Sequence, residues 1–66
     1  MIVTVNGEST EMMDGGSVAE LLVQLQIKRE SVAVEVNLDI VPKAGYDSLA
    51  LKNGDKIEIV QFVGGG

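Results

Sequence analysis

From Met1 to Val5 the chain alternates, placing Met1, Val3 and Val5 on one face and Ile2 and Thr4 on the other, which is the period of a β-strand. Asn6-Gly7 comes next, the dipeptide that most readily supplies the two positive φ angles of a type I′ turn. The pattern therefore predicts a hairpin in which Glu8 to Met13 return antiparallel, Val5 opposite Glu8 and Val3 opposite Thr10. The returning strand is the more polar of the two, which suits a sheet edge. At Asp14-Gly15-Gly16 the period changes. Ser17 and Glu20 have the spacing of a capping box, and Val18, Leu21, Leu22 and Leu25 fall at i, i+3, i+4 and i+7, one apolar stripe of a helix starting at about Val18. Lys28 and Arg29 are expected to complement the C-terminal end of its dipole.

Alternation resumes at Val32-Ala33-Val34-Glu35-Val36, a strand whose three valines face the core. Asn37-Leu38-Asp39 is turn chemistry. Ile40-Val41 is a short strand ended by Pro42, which lacks the donor that a central ladder needs. Tyr46-Asp47-Ser48-Leu49 has the composition of a single helical turn, with Tyr46 anchoring the loop. Asn53-Gly54-Asp55 turns the chain into a last strand, Lys56 to Phe62. Two hairpin-like pairs around one amphipathic helix imply an α+β domain with the helix across one face of a mixed sheet. The β-grasp fold meets that description: its first and last strands lie side by side in parallel, and the helix and second hairpin supply the long crossover this requires. The division expected is a β-grasp domain over 1–63 and a flexible glycine tail over 64–66.

Length and composition narrow the function. Sixty-six residues support one small core. The absence of cysteine and histidine removes disulfides, thiolate nucleophiles and the commonest neutral-pH acid, base and metal ligand. A net charge of −5 opposes binding to nucleic acid or to anionic membrane surfaces, and neither a signal peptide nor a spanning segment is evident, so a cytoplasmic protein with protein partners is expected. Asp14-Gly15-Gly16-Ser17 lacks the spacing and the lysine of a phosphate loop and reads as a capped turn. The acidic residues Glu8, Glu11, Glu35, Asp39, Asp55 and Glu58 form no cluster in sequence and read as solvated surface. Met12-Met13 reads as packing material.

Two features remain unexplained by packing. With Ile57 and Ile59 under the helix, Val60 and Phe62 fall on the open face of the last strand, either as partly covered packing positions or as a docking patch. Val63-Gly64-Gly65-Gly66 then ends the sequence, and three successive glycines arise by chance at a given place with a probability on the order of 10⁻⁴. Lacking Cβ atoms, such a tail threads a narrow channel, and four residues span at most about 14 Å. Its terminal carboxylate, with a pKa of about 3.5, is a poor electrophile and enters acyl chemistry only after activation, for example as an acyl adenylate.

Taken in order, Asn6-Gly7, Ser17-Val18-Ala19-Glu20-Leu21-Leu22, Val34-Glu35-Val36-Asn37, Ile40-Val41-Pro42-Lys43, Asn53-Gly54-Asp55 and Phe62-Val63-Gly64-Gly65-Gly66 make the whole chain resemble the ThiS family of bacterial sulfur carriers of thiamin biosynthesis. The resemblance implies a ubiquitin-like β-grasp fold and no catalytic or cofactor site on the chain itself. It implies that an adenylating enzyme of ThiF type, using ATP and magnesium, activates Gly66. Sulfur from a sulfur-donating enzyme then replaces the adenylate, and the thiocarboxylate serves a thiazole synthase of ThiG type. Val60, Phe62, Val63, Gly64 and Gly65 are the residues implied to meet these partners. The small subunit of molybdopterin synthase, a ubiquitin-like protein modifier and a plain β-grasp interaction domain stand as alternatives.

Overall fold

The computed structural model describes residues 1–62. Five strands, β1 (Ile2–Val5), β2 (Glu8–Glu11), β3 (Val32–Val36), β4 (Asp39–Val41) and β5 (Lys56–Gln61), form one sheet in the order β2-β1-β5-β3-β4, with one helix, α1 (Val18–Gln24), between the hairpins in sequence. β5 runs parallel to β1 and antiparallel to β3, so the last strand occupies the middle of the sheet. This is the β-grasp arrangement expected of the sequence. Among the described residues no helix is long and apolar enough to cross a membrane.

The first hairpin adopts the expected register, Val5 opposite Glu8 and Val3 opposite Thr10, around Asn6 and Gly7 at φ 48° and 85°. β2 is shorter than expected, ending at Glu11 instead of Met13. Beyond it the Met12 N–H still bonds the Met1 carbonyl, and the chain swings so that Met12 enters the core while Met13 stays exposed. The capping box closes as its spacing requires: Ser17 Oγ accepts from the Glu20 N–H at 3.1 Å and the Glu20 carboxylate accepts from the Ser17 N–H at 2.9 Å. A helix of seven residues is too short to stand alone in water; burial of Val18, Leu21 and Leu22 against Val3, Val34 and Ile57 holds it.

Lys28 and Arg29 do not cap the helix dipole. α1 stops at Gln24, with no basic residue in its last turn, because Gln26 takes a left-handed conformation at φ 60° and closes a Schellman motif, its N–H bonding Val23 and that of Ile27 bonding Leu22. Glycine is the usual residue at that position, and a side chain there is strained by about 1–2 kcal/mol. Gln26→Gly is therefore expected to raise Tm by about 4 °C, the strain relieved exceeding the added freedom of the unfolded chain. An unchanged or lower Tm in a thermal melt followed by circular dichroism would contradict that account.

The loop after β4 is also shifted from expectation. Its 3₁₀ turn spans Lys43–Gly45, directly after Pro42, and Tyr46 to Ser48 continue it as a turn in which the Ser48 and Leu49 N–H groups bond the Gly45 carbonyl. Tyr46 does anchor the loop. Its side chain is only 1% exposed, its hydroxyl reaches the Val32 carbonyl at 3.4 Å, and its own carbonyl accepts from the Ala19 N–H.

Candidate functional site

β5 delivers the chain to the glycine run, and its neighbours fix that delivery. On one side β3 pairs along its whole length, from Val36 opposite Ile57 to Val32 opposite Gln61, and the Phe62 N–H adds a bond to the Ser31 carbonyl at 2.8 Å. On the other side backbone pairing with β1 covers only Thr4 with Lys56 and Val5 with Ile57, because β1 turns away at Asn6. The Asn6 side chain then takes over, its Oδ1 accepting from the Ile59 N–H at 2.8 Å and its Nδ2 donating to the Ile59 carbonyl at 3.1 Å. The left-handed turn residue thus acts as an extra rung beside β5. Sequence reading assigned Asn6 to the turn alone.

Alternation along β5 sends Ile57 and Ile59 toward the helix and Lys56, Glu58, Val60 and Phe62 to the open face. Val60 and Phe62 are 58% and 57% exposed, so partial cover does not account for them. Lys43 Nζ stands 5.4 Å from the centroid of the Phe62 ring and donates to the Glu30 carbonyl. Beside it, Arg29 forks onto both Asp47 oxygens at 3.1 and 3.0 Å, donates to the Lys43 carbonyl, and lies 5.5 Å over the ring of Tyr46. These hydrogen bonds hold the Asp47 carboxyl below, and the Arg29 guanidinium above, their ordinary ranges. The lowered Asp47 value means that the pair adds to stability above the ordinary aspartate range, and that this contribution is lost as acid protonates the folded carboxyl.

Val63, Gly64, Gly65 and Gly66, expected to enter or be modified by partners, lie outside the described residues. Asp14 to Ser17 form the capped turn, with the Met1 amino group bonded to Asp14 Oδ1 at 2.8 Å. No group of three or more acidic side chains among the described residues is placed to hold a metal ion. The sheet does bring Glu35 and Glu58 directly opposite each other on the open face, a pairing that sequence spacing does not reveal.

The model of the ThiS family matches residues 3–66, from the first strand through the glycine run. The chain belongs to the ThiS family. Among ThiS relatives, the sulfur carrier protein ThiS of Bacillus subtilis is 43% identical over 53 residues, which cover 80% of each chain. A crystal structure of the thiamine biosynthesis protein ThiS of Geobacter metallireducens superposes with a TM-score of 0.80 at 37% identity, covering all of both chains. A thiazole synthase of Paramagnetospirillum magneticum is 46% identical over 66 residues, which are the whole of this chain and 20% of that protein. The chain thus spans about a fifth of the length of the thiazole synthases it matches.

Proposed function

We infer that this chain is a sulfur carrier for the thiazole of thiamin, and that the carboxylate of Gly66 is the group that is loaded. The observation that carries the reading is the family match running without interruption into Gly64-Gly65-Gly66, behind a strand clamped on both sides up to Ile59 and exposed at Phe62. In the adenylating partner the carboxylate oxygen attacks the α-phosphorus of ATP, whose charge magnesium offsets, and pyrophosphate leaves. Sulfur at the oxidation level of hydrosulfide, supplied by a sulfur-donating enzyme, attacks the acyl carbon, and AMP leaves with the bonding electron pair. The thiocarboxylate sulfur then bonds to an electrophilic carbon of the acceptor in a thiazole synthase, and water cleaves the acyl carbon–sulfur bond, which leaves sulfur on the acceptor and returns the Gly66 carboxylate.

Val60, Phe62 and Val63 meet the partner in this reading, while Gly64 and Gly65 keep the tail slender enough for a cleft. The body over 1–63 and the tail over 64–66 have separate tasks, docking and delivery. Tethering to a docked protein raises the effective concentration of sulfur at one acceptor above that of free sulfide. A cargo held on the main chain needs no cysteine or histidine, which agrees with their absence from the sequence and with a carrier acted on by cytoplasmic enzymes instead of an enzyme in its own right. The likeness to segments of thiazole synthases favours the thiazole pathway over the molybdopterin one.

Intact-mass analysis of the protein from thiamin-starved cells is expected to show exchange of one oxygen for sulfur, localised by fragmentation to Gly66. Ladders of this chain on other proteins would indicate a modifier. A terminus that stays unmodified during starvation would leave only a plain interaction domain.

A further inference from the structure

The two edges of the sheet differ. β4 is three residues long and is followed by Pro42, whereas β2 offers four residues with a groove beside it. Which backbone groups of β2 look outward follows from the bonds of its neighbour. The N–H groups of Thr4 and Asn6 are spent on the β5 side, on the carbonyls of Asp55 and Ile57, and the Met12 N–H bonds the Met1 carbonyl. Backbone groups alternate sides along a strand, so Glu8 and Thr10 pair with β1, while the N–H and carbonyl groups of Ser9 and Glu11 face away from the sheet. Of these, the Glu11 carbonyl is met by Gln24 Nε2, at 2.7 Å from the helix. An edge of this kind is a template for one more strand.

Apolar surface and charge say which kind of strand it fits. Past Glu11 the edge runs into a groove of about 290 Å³ lined by Met12, Met13, Glu20, Val23 and Gln24. Val23 is 76% exposed and Met13 64%, so the groove presents apolar side chains to solvent beside the helix. Its setting is acidic. Between Met1 and Ile27 the chain has four acidic residues, Glu8, Glu11, Asp14 and Glu20, and no lysine or arginine; all five of its basic side chains come later. Asp14 is paired with the Met1 amino group, and Lys56 of the central strand is separated from β2 by β1, which leaves Glu8, Glu11 and Glu20 to set the potential along the edge. A second copy of this chain fits poorly, because two such edges would set Glu8 and Glu11 of one against those of the other.

We propose that the β2 edge and the groove between Met13 and Val23 form a second binding surface, which takes an extended segment of another protein, with basic and apolar residues in alternation, as an added antiparallel strand. Pairing assigns its side chains. A residue bonded to Ser9 or Glu11 directs its side chain to the same face as theirs, where a lysine or arginine meets Glu11, and its neighbours in sequence point to the helix side, toward Val23 and Met13. β1 separates this edge from β5, so a segment bound there leaves Val60, Phe62 and the last strand uncovered. For a carrier, such a site holds the body without competing with delivery of the tail.

The probe is a capped hexapeptide of alternating lysine and valine, titrated into the full ¹⁵N-labelled chain and followed by amide chemical shifts. Binding is expected with a Kd of about 0.1 mM and with shifts centred on Ser9, Glu11, Met13 and Val23. Methylation of a central lysine amide nitrogen, which in this register donates to β2, should weaken binding about tenfold, and methylation of the adjacent valine nitrogen should leave it unchanged. Val23→Gln, on the exposed side of the helix, is expected to weaken binding about fivefold with Tm unchanged, and Glu11→Gln to weaken it and flatten its dependence on salt. Equal Kd values for the two methylated peptides would reduce the contact to charge alone and overturn strand addition. Shifts centred on Val60 and Phe62, or none at about 1 mM peptide, would overturn the site. Concentration-dependent shifts at Ser9 and Glu11 without peptide would assign the edge to a second copy of this chain and overturn the partner proposed.

Discussion

Deletion of Gly66 is expected to lower adenylation by at least about 100-fold while leaving Tm unchanged. The shortened chain still ends in two glycines, Gly64-Gly65, so the deletion tests reach and leaves the chemistry of the end group alone. One residue of extended chain is worth about 3.3–3.6 Å, and displacement of a reacting atom by as little as about 1 Å has effects of this size. The body should not respond, because the core of the described residues, with the side chains packed against it, lies within residues 1–59. Rates from ATP–pyrophosphate exchange and a melt of the same sample decide the matter. Full activity would mean that the activating enzyme measures the end group and not the distance from the body. A lowered Tm would contradict the separation of body and tail.

The largest effect on stability is expected at Tyr46. Truncation to alanine removes the largest fully buried side chain of the described residues, a change that costs about 3–5 kcal/mol in comparable cores. A domain of this size is stable by roughly 3–10 kcal/mol, so Tyr46→Ala should be largely unfolded or melt near ambient temperature. Tyr46→Phe keeps the ring under Arg29 and loses only a long hydroxyl contact of 3.4 Å, and should cost about 1 kcal/mol or less. Urea unfolding of both variants measures the contrast. Similar losses for the two would shift the importance of Tyr46 from its ring to its hydroxyl.

Local chemistry was what the sequence displayed best. Asn6-Gly7 fixed the first hairpin and its register, Ser17 with Glu20 fixed the helix start, and the alternation of Lys56 to Phe62 correctly separated the faces of the last strand. Each of these depends on residues a few positions apart. The helix end was hidden because Gln26 takes the left-handed conformation without being glycine or asparagine, and tertiary packing of Leu25 and Ile27 stabilises what local preference opposes. The 3₁₀ turn at Lys43–Gly45 was displaced toward the Pro42 constraint for a similar reason. At the candidate site, Val60 and Phe62 were legible from their period. The Glu35–Glu58 pair and the second role of Asn6 needed the sheet to join distant segments.

The central placing of β5 has a mechanical consequence. A pull directed along β5 beyond Phe62 acts on a strand bonded on one flank to β3 and on the other to β1 and Asn6. Force in that direction loads these bonds together in shear, whereas an edge strand peeled sideways would release them one after another. In the proposed carrier role, this arrangement lets the body be drawn against a tight cleft and withdrawn from it, turn after turn, without unravelling.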